Sequence, residues 1–228
     1  MKKLNVLDAI AERRSIRGFL DKEISKDLVS KILAYSSRAP SGSNTQPWKV
    51  YVVTGKARDK LCEEMVLYRE QDPDYESPQY QYYPVNWREP YINRRRKTGW
   101  GLYGVLGINK GDRDKMFKQQ LKNYQFFGAP VGLFFTLDND MEMGSWLDCG
   151  MFIQNIMLVA RAFGLETCPQ AAWVYHHKMV RKLVPLPENE TLVCGMALGY
   201  EDTGEVANEF VTDREQVTNF STFFGFDS

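Results

Sequence analysis

The sequence predicts an α+β domain built around a central sheet. Three observations carry that expectation: segments with apolar residues at helical spacing alternate with short β-branched apolar runs, no βαβ unit links the runs, and no internal repeat organises them. With 228 residues, the chain reads as one domain over 1–228, large enough for a core that encloses a cofactor.

Asn5 is placed to cap a first helix, "VLDAIAERR", with Val6, Ala9, Ile10 and Arg13 on one side. Ser25 is placed to cap a second, "KDLVSKILAYSSR", with Leu28, Ile32 and Tyr35 at helical spacing and Asp27 in its first turn. "KVYVVTG" reads as a buried strand ending at Gly55, and "ARDKLCEEMVLYRE" as a helix. From Asp72 to Gly111 the pattern breaks into a Tyr-, Pro- and Arg-rich excursion with a short helix inside it. "DRDKMFKQQLKNYQFF" returns to helix and "APVGLFFTL" is a strong strand. "SWLDCGMFIQNIMLVARAFG" is apolar round much of its circumference, which predicts burial on nearly all sides, and Gly164 is placed to end it. A short strand "LETCPQ", a helix after His176 and a final strand "TLVCGMAL" complete the core. The tail from Asn208 to Ser228 ends in Phe220, Phe223, Phe224 and Phe226, so it is expected to pack on something, a second subunit being one answer.

Composition excludes several classes of function. Twenty-nine basic residues balance twenty-nine acidic ones, which argues against a dedicated nucleic-acid binder. No apolar run approaches the roughly 20 residues of a membrane span, and the N-terminal segment lacks the h-region of a secretion signal. Cys62, Cys149, Cys168 and Cys194 are scattered, without a CxxC pair or histidines at ligand spacing. Reduced thiols in a cytoplasmic protein follow, with no metal site. Aromatics make up 13% of the chain, a share suited to packing against something flat.

Several motifs invite chemistry and fail on context. Gly99, Gly101 and Gly104 match GxGxxG, but no strand delivers them to a helix start. The basic run Arg94 to Lys97 is a solvated or subunit-facing surface, or an attractor for an anionic ligand. His176 and His177 are adjacent and cannot face one metal from one side of an element. No GxSxG elbow supports a serine triad. Two stretches remain. "ERRSIRGF" sets Arg13, Arg14 and Arg17 beside Ser15, either a salt-bridged surface or a site for phosphate oxygens, which arginine forks suit. "APSGSNTQPW" is longer and more polar than a helix-to-strand connection needs, either a solvated loop or one that faces a polar ligand.

"ERRSIRGF" followed by "APSGSNTQPWKVYVV" resembles the start of the FMN-dependent nitroreductase family. The resemblance continues through "FFGAPVGLFF", "WLDCGMFIQNIMLVARAFGLETCPQ" and "MALGYED…NEFVTDRE", nearly the whole chain. The insertion "YPVNWREPYINRRRKTGWGLYGVLGI" is similar to the nitrobenzoate reductase-like branch.

The resemblance implies a mostly antiparallel sheet flanked by helices, in an intertwined homodimer with two FMN sites between subunits and the tail 208–228 packed on the partner. It implies ping-pong turnover: NADH or NADPH reduces FMN and leaves, and a small-molecule acceptor such as a nitroaromatic or quinone enters the same cleft. No residue of the chain is then catalytic itself, because the cofactor carries the chemistry. By motif, Arg13, Ser15 and Arg17 hold the phosphate and the polar edge of the ring, with Arg14 counted among the cofactor-binding residues beside them. Pro40, Ser41, Gly42, Asn44 and Gln46 reach the flavin of the partner chain. Asn123 bonds the ring edge, the backbone of Pro169, Gln170 and Ala171 faces the ring, and Arg214 completes the phosphate site. Some members carry a lysine three residues after the position of Asn123, where this chain has Phe126, so charge stabilisation falls mainly to Arg17. The excursion at 72–111 is expected to lid the cleft and set acceptor choice. The same cradle also suits a reductive dehalogenase, a flavin-consuming enzyme or a non-catalytic flavin-binding module.

Overall fold

The computed structural model describes residues 4–71 and 77–226. Five strands form one sheet in the order β1-β5-β3-β2: β1 (Phe19–Leu20), β2 (Lys49–Thr54), β3 (Val131–Asp138) and β5 (Glu190–Glu201), with β4 (Glu166–Gln170) beside β1 on the same edge of β5. Every ladder is antiparallel. The one parallel contact among the described residues is an isolated bridge between Ser15 and Thr167.

β3 is the centre, buried from Val131 through Leu137. Its alternating side chains feed two cores, as a strand covered on both faces must. Leu133, Phe135 and Leu137 face α2 (Lys26–Ser36) and α6 (Met143–Ala162), while Phe134 faces α3 (Gly55–Gln71) and α7 (His177–Leu183). On that second face two glycines make room for rings. A Cβ on Gly132 would stand 2.3 Å from the Phe126 ring, and one on Gly195 would stand 2.4 Å from Trp173. Each fully buried aromatic contributes on the order of 1.5–3 kcal/mol through the apolar surface it removes from water.

The local signals hold where they are chemically specific. Asn5 accepts from the Asp8 amide to start α1 (Val6–Glu12), Ser25 accepts from Leu28 to start α2, and Gly164 takes φ +74° after α6. Other expectations change. α2 buries Val29, Ile32 and Ser36, while Tyr35 is exposed. β2 is an edge strand of which Val53 is the buried residue, because Lys49 and Tyr51 turn to the carboxylate of Glu190. The segment 112–127 is not one helix: α5 (Arg113–Leu121) gives way to a 3₁₀ stretch, Lys122–Gly128. There Phe126 and Phe127 adopt φ near +50°, a cost accepted because it drives Phe126 over Gly132. α6 is not covered all round either, since Met143, Leu147 and Met151 are exposed on one side.

The described part of the 72–111 excursion contains α4 (Tyr91–Val105), longer than the short helix expected and with no buried residue. Residues 72–76 lie outside the described residues. The tail is exposed, with Phe220, Phe223, Phe224 and Phe226 at 63–84% of full accessibility. Before that, it meets α4: Arg94 pairs with Glu215 at 3.0 Å, Lys97 pairs with Asp213, and the Phe210 ring lies where a side chain on Gly101 would be. Gly101 is thus a packing notch for Phe210, whereas Gly99 and Gly104 face open space, and Arg94 and Lys97 of the basic run are engaged by the tail.

Candidate functional site

After α1 the chain runs extended from Arg13 to Arg17, tied to β4 by the Ser15–Thr167 bridge and by the Ile16 amide donating to Thr167 at 3.1 Å. Extended backbone sends alternate side chains to opposite sides. Ile16 is fully buried, and Arg14 goes with it, donating to Glu201 at 2.5 Å and to the Asn208 carbonyl. Arg13, Ser15 and Arg17 take the other side. The arginines adjacent in sequence are therefore parted, and Arg14 becomes the clamp at the base of the tail.

Burial, then the Arg214 guanidinium, lower the pKa of Arg13 from its ordinary value. Arg214 itself donates to the carbonyls of Thr212 and Asp213, at 3.2 and 2.7 Å, and to the Thr212 hydroxyl. Arg17 donates to the Ser15 carbonyl, and its amide to Asn208 Oδ1 at 2.7 Å. None of these three arginines makes an ion pair among the described residues, whereas Arg14 and Arg161 both do. Burial pushes the Cys168 thiol up to about 11, while Arg17, the Ser15 hydroxyl and Arg13 act the other way, which sets all three against β4. An anion between Arg13 and Arg214 would relieve their repulsion.

Asn123, in the 3₁₀ stretch, is linked to the end of β4: its carbonyl accepts from Gln170 Nε2 at 2.6 Å, and Gln170 Oε1 accepts from Trp173 Nε1. The Gln170 side chain is thus spent internally, leaving Pro169 and Ala171 half-buried beside it. Arg17 and Asn123 share a cavity of about 260 Å³ with Phe127, Gln119 and, from α4, Leu102 and Tyr103. Arg17 is the one charged residue lining it. Phe126 does not face this space but packs between Phe134 and Trp173. A second cavity of about 470 Å³ lies over Pro169, Gln170 and Ala171, walled by Tyr80, Tyr82 and Trp146, and no charged side chain lines it. Tyr80 and Trp146 meet edge to face at 4.5 Å, and Tyr80 donates to the Val193 carbonyl at a bulge in β5. The aromatic character of 80–87 was visible in the sequence. Its meeting with Trp146 was not, because that contact is long-range.

The loop after α2 is a tight 3₁₀ turn, Gly42–Asn44, with Ser43, Asn44 and Gln46 at φ +48° to +57°. Left-handed non-glycine residues cost on the order of 1 kcal/mol each, and such strain collects at functional sites. Ser41 Oγ accepts from the Gln46 amide at 2.9 Å, and the Gly42 amide donates to Asp148 Oδ2 at 3.1 Å. Pro40, Gly42, Asn44 and Gln46 are exposed. The loop packs on α6 and lines neither cavity, so within one chain it stands apart from the Arg13–Arg17 segment.

A family model described as "Nitroreductase family" matches residues 10–200. The chain belongs to the nitroreductase family. This nitroreductase is 38% identical over 216 residues to the nitrobenzene nitroreductase of Ectopseudomonas oleovorans, with 95% of each chain covered. It is 38% identical over 218 residues to the 4-nitrobenzoate reductase of Pseudomonas putida, covering 96% of this chain and 95% of that one. Among solved structures it resembles the FMN and NADPH-dependent nitroreductase NfnB from Sphigopyxis sp. strain HMH, with a TM-score of 0.90, 34% identity and coverage of 98% and 100%. The nitroreductase fold expected from the motifs is therefore the fold observed. Among the described residues, no helix is long and apolar enough to cross a membrane, and no cluster of His, Cys, Asp or Glu is placed to hold a metal.

Proposed function

We propose that the chain is an NAD(P)H-dependent flavin oxidoreductase that holds FMN noncovalently at a site shared between two copies and reduces nitroaromatic and quinone-type acceptors in ping-pong fashion. The observation that carries this reading is the set of three guanidiniums, Arg13, Arg17 and Arg214, that make no direct ion pair among the described residues in a fold that pairs Arg14 and Arg161 nearby.

The residues fit the cofactor. Two arginines within electrostatic range of each other and a hydroxyl suit a phosphate dianion, and a third cation with an amide suits the polar edge of a flavin ring. Arg13, Ser15 and Arg214 would hold the phosphate; Arg17 and Asn123 would hold the ring edge, and the Pro169–Ala171 backbone its face. Pro40, Ser41, Gly42, Asn44 and Gln46 would reach the cofactor of the second copy. The exposed apolar residues Leu147, Phe223 and Phe224 support such a partner. Bound there, FMN supplies the hydride chemistry between NADH or NADPH and the acceptor. The chain's own part is to hold positive charge at the ring edge through Arg17 and to exclude water with Tyr80, Tyr82 and Trp146. The uncharged lining of their cavity supports an uncharged nitroarene over a carboxylated one.

An absorbance spectrum of the purified protein tests this directly. Flavin bands that bleach with NADH or NADPH under anaerobic conditions, and return on adding nitrobenzene, are expected. A colourless protein that takes up no added FMN would overturn cofactor and function together.

A further inference from the structure

Asp148 is the lone acidic residue on the inward side of α6, beside Cys149, Phe152 and Ile153, and it is only 9% exposed. Its carboxylate accepts from the Gly42 amide at 3.1 Å. Among the described residues, this is the one hydrogen bond that ties the Ser41–Gln46 loop to the rest of the chain. The loop's other bonds are internal: Asn44 N to Ser41 O, Thr45 N to Gly42 O, Gln46 N to Ser41 Oγ, and Gln46 Nε2 to Asn44 O. A turn with three left-handed non-glycine residues persists only where its surroundings over-determine it. Its own short bonds fix its internal shape but not its place, and an acceptor oxygen on a rigid helix supplies that second constraint.

We infer that Asp148 is a positioning residue for cofactor binding: it seats the Ser41–Gln46 loop against α6 so that the loop reaches the flavin of the other subunit. The inference rests on the proposed sharing of each FMN site between two copies. Asp148 acts through the Gly42 amide and touches no cofactor atom itself. An asparagine at 148 keeps the acceptor oxygen and an alanine removes it, so the two substitutions separate the hydrogen bond from the packing.

The test is FMN affinity of the apoprotein by fluorescence quenching, followed by a mixed dimer. Asp148→Ala is expected to raise the dissociation constant about tenfold and Asp148→Asn to stay within about threefold of wild type. Wild-type affinity in Asp148→Ala overturns the inference, as does an Asp148→Asn variant as weak as the alanine. For the mixed dimer, one copy carries Asp148→Ala and the other carries Arg13→Ala with Arg214→Ala, each with its own affinity tag. At an FMN concentration that leaves both parent dimers nearly empty, the doubly purified species is expected to bind one FMN per dimer, because one of its two sites has intact arginines and an intact loop from the other copy. A mixed dimer as empty as its parents, with Asp148→Ala still weakened, would place the fault in the shared-site reading and overturn the inference with it.

Discussion

Two groups of arginines flank the same strand, and the fold treats them oppositely. Arg14 and Arg161 are neutralised, the first by Glu201 and the second by Glu12 at 2.7 Å and by Glu166. Arg13, Arg17 and Arg214 make no direct ion pair among the described residues; Glu166 attracts Arg13 only at longer range, and Arg13 and Arg214 repel each other. Arg214 is exposed, but Arg13 and Arg17 are half-buried like Arg14 and Arg161, so solvent alone does not explain the difference for those two. A neutralised arginine here joins elements of the fold, whereas under the proposed function an unpaired one is kept for an anionic ligand.

Removing Arg13 and Arg214 together should have the largest effect, raising the FMN dissociation constant at least about a hundredfold at a loss of on the order of 1.5–3 kcal/mol per charged hydrogen bond. The apoprotein's melting temperature should not fall, because a repulsion has been relieved. A lowered apoprotein melting temperature would show that these two arginines stabilise the fold and erase the contrast. Arg14→Ala should do the reverse. It leaves Glu201 and the Asn208 carbonyl without their donor, at a cost of about 1–2 kcal/mol after allowing for partial exposure. Calorimetry should then read a melting temperature lower by roughly 3–6 °C, with FMN affinity within twofold of wild type. The third effect concerns the cavity walled by Tyr80, Tyr82 and Trp146. With no charged side chain in its lining, kcat/KM for nitrobenzene should exceed that for 4-nitrobenzoate by about tenfold, and equal values would argue that the acceptor lies beside Arg17 instead.

The smallest effect belongs to a third charged group, at the far end of the sheet. Burial would raise the Glu190 pKa, but bonds from Thr136, Lys49 and Tyr51 outweigh it and hold the carboxyl below its ordinary value of 4.5. A lowered folded-state pKa stabilises the protein above the unfolded value, and that contribution is lost as pH falls from about 4.5 through the folded value. Glu190→Gln should flatten the loss of stability in that window by at most about 1.4 kcal/mol per pH unit. Denaturant titrations at pH 3.5 to 6 measure it.

What could be read from the sequence was local chemistry. Asn5, Ser25 and Gly164 announce helix ends because capping involves residues a few positions apart. The strand at Val131–Asp138 is apolar throughout because both its faces are covered. What could not be read depends on partners far along the chain. The helix expected to run to Phe127 stops at Leu121 because of the space above Gly132. Arg14 parts from Arg13 and Arg17 because a bridge to Thr167 makes the segment extended. Leu28 and Tyr35 fit the helical period as well as Val29 does, and only the position of α6 decides among them. In the candidate site the arginine segment and the polar loop stood out by composition. Asp148 and the meeting of Tyr80 with Trp146 did not, since each depends on a contact across more than 60 residues.

The contact between α4 and the tail has a bearing on the order in which the protein is made. α4 buries nothing of its own, and its packing partners Phe210, Asp213 and Glu215 are synthesised more than a hundred residues later. At about 5–20 residues per second, a ribosome takes on the order of 5–20 seconds to bridge that interval. During that time the helix that supplies Leu102 and Tyr103 to the Arg17 cavity lacks the Phe210 ring and both ion pairs to the tail. The cavity wall is thus among the last parts of a nascent chain to settle, and a chain cut short before Phe210 would keep its sheet and lose that wall.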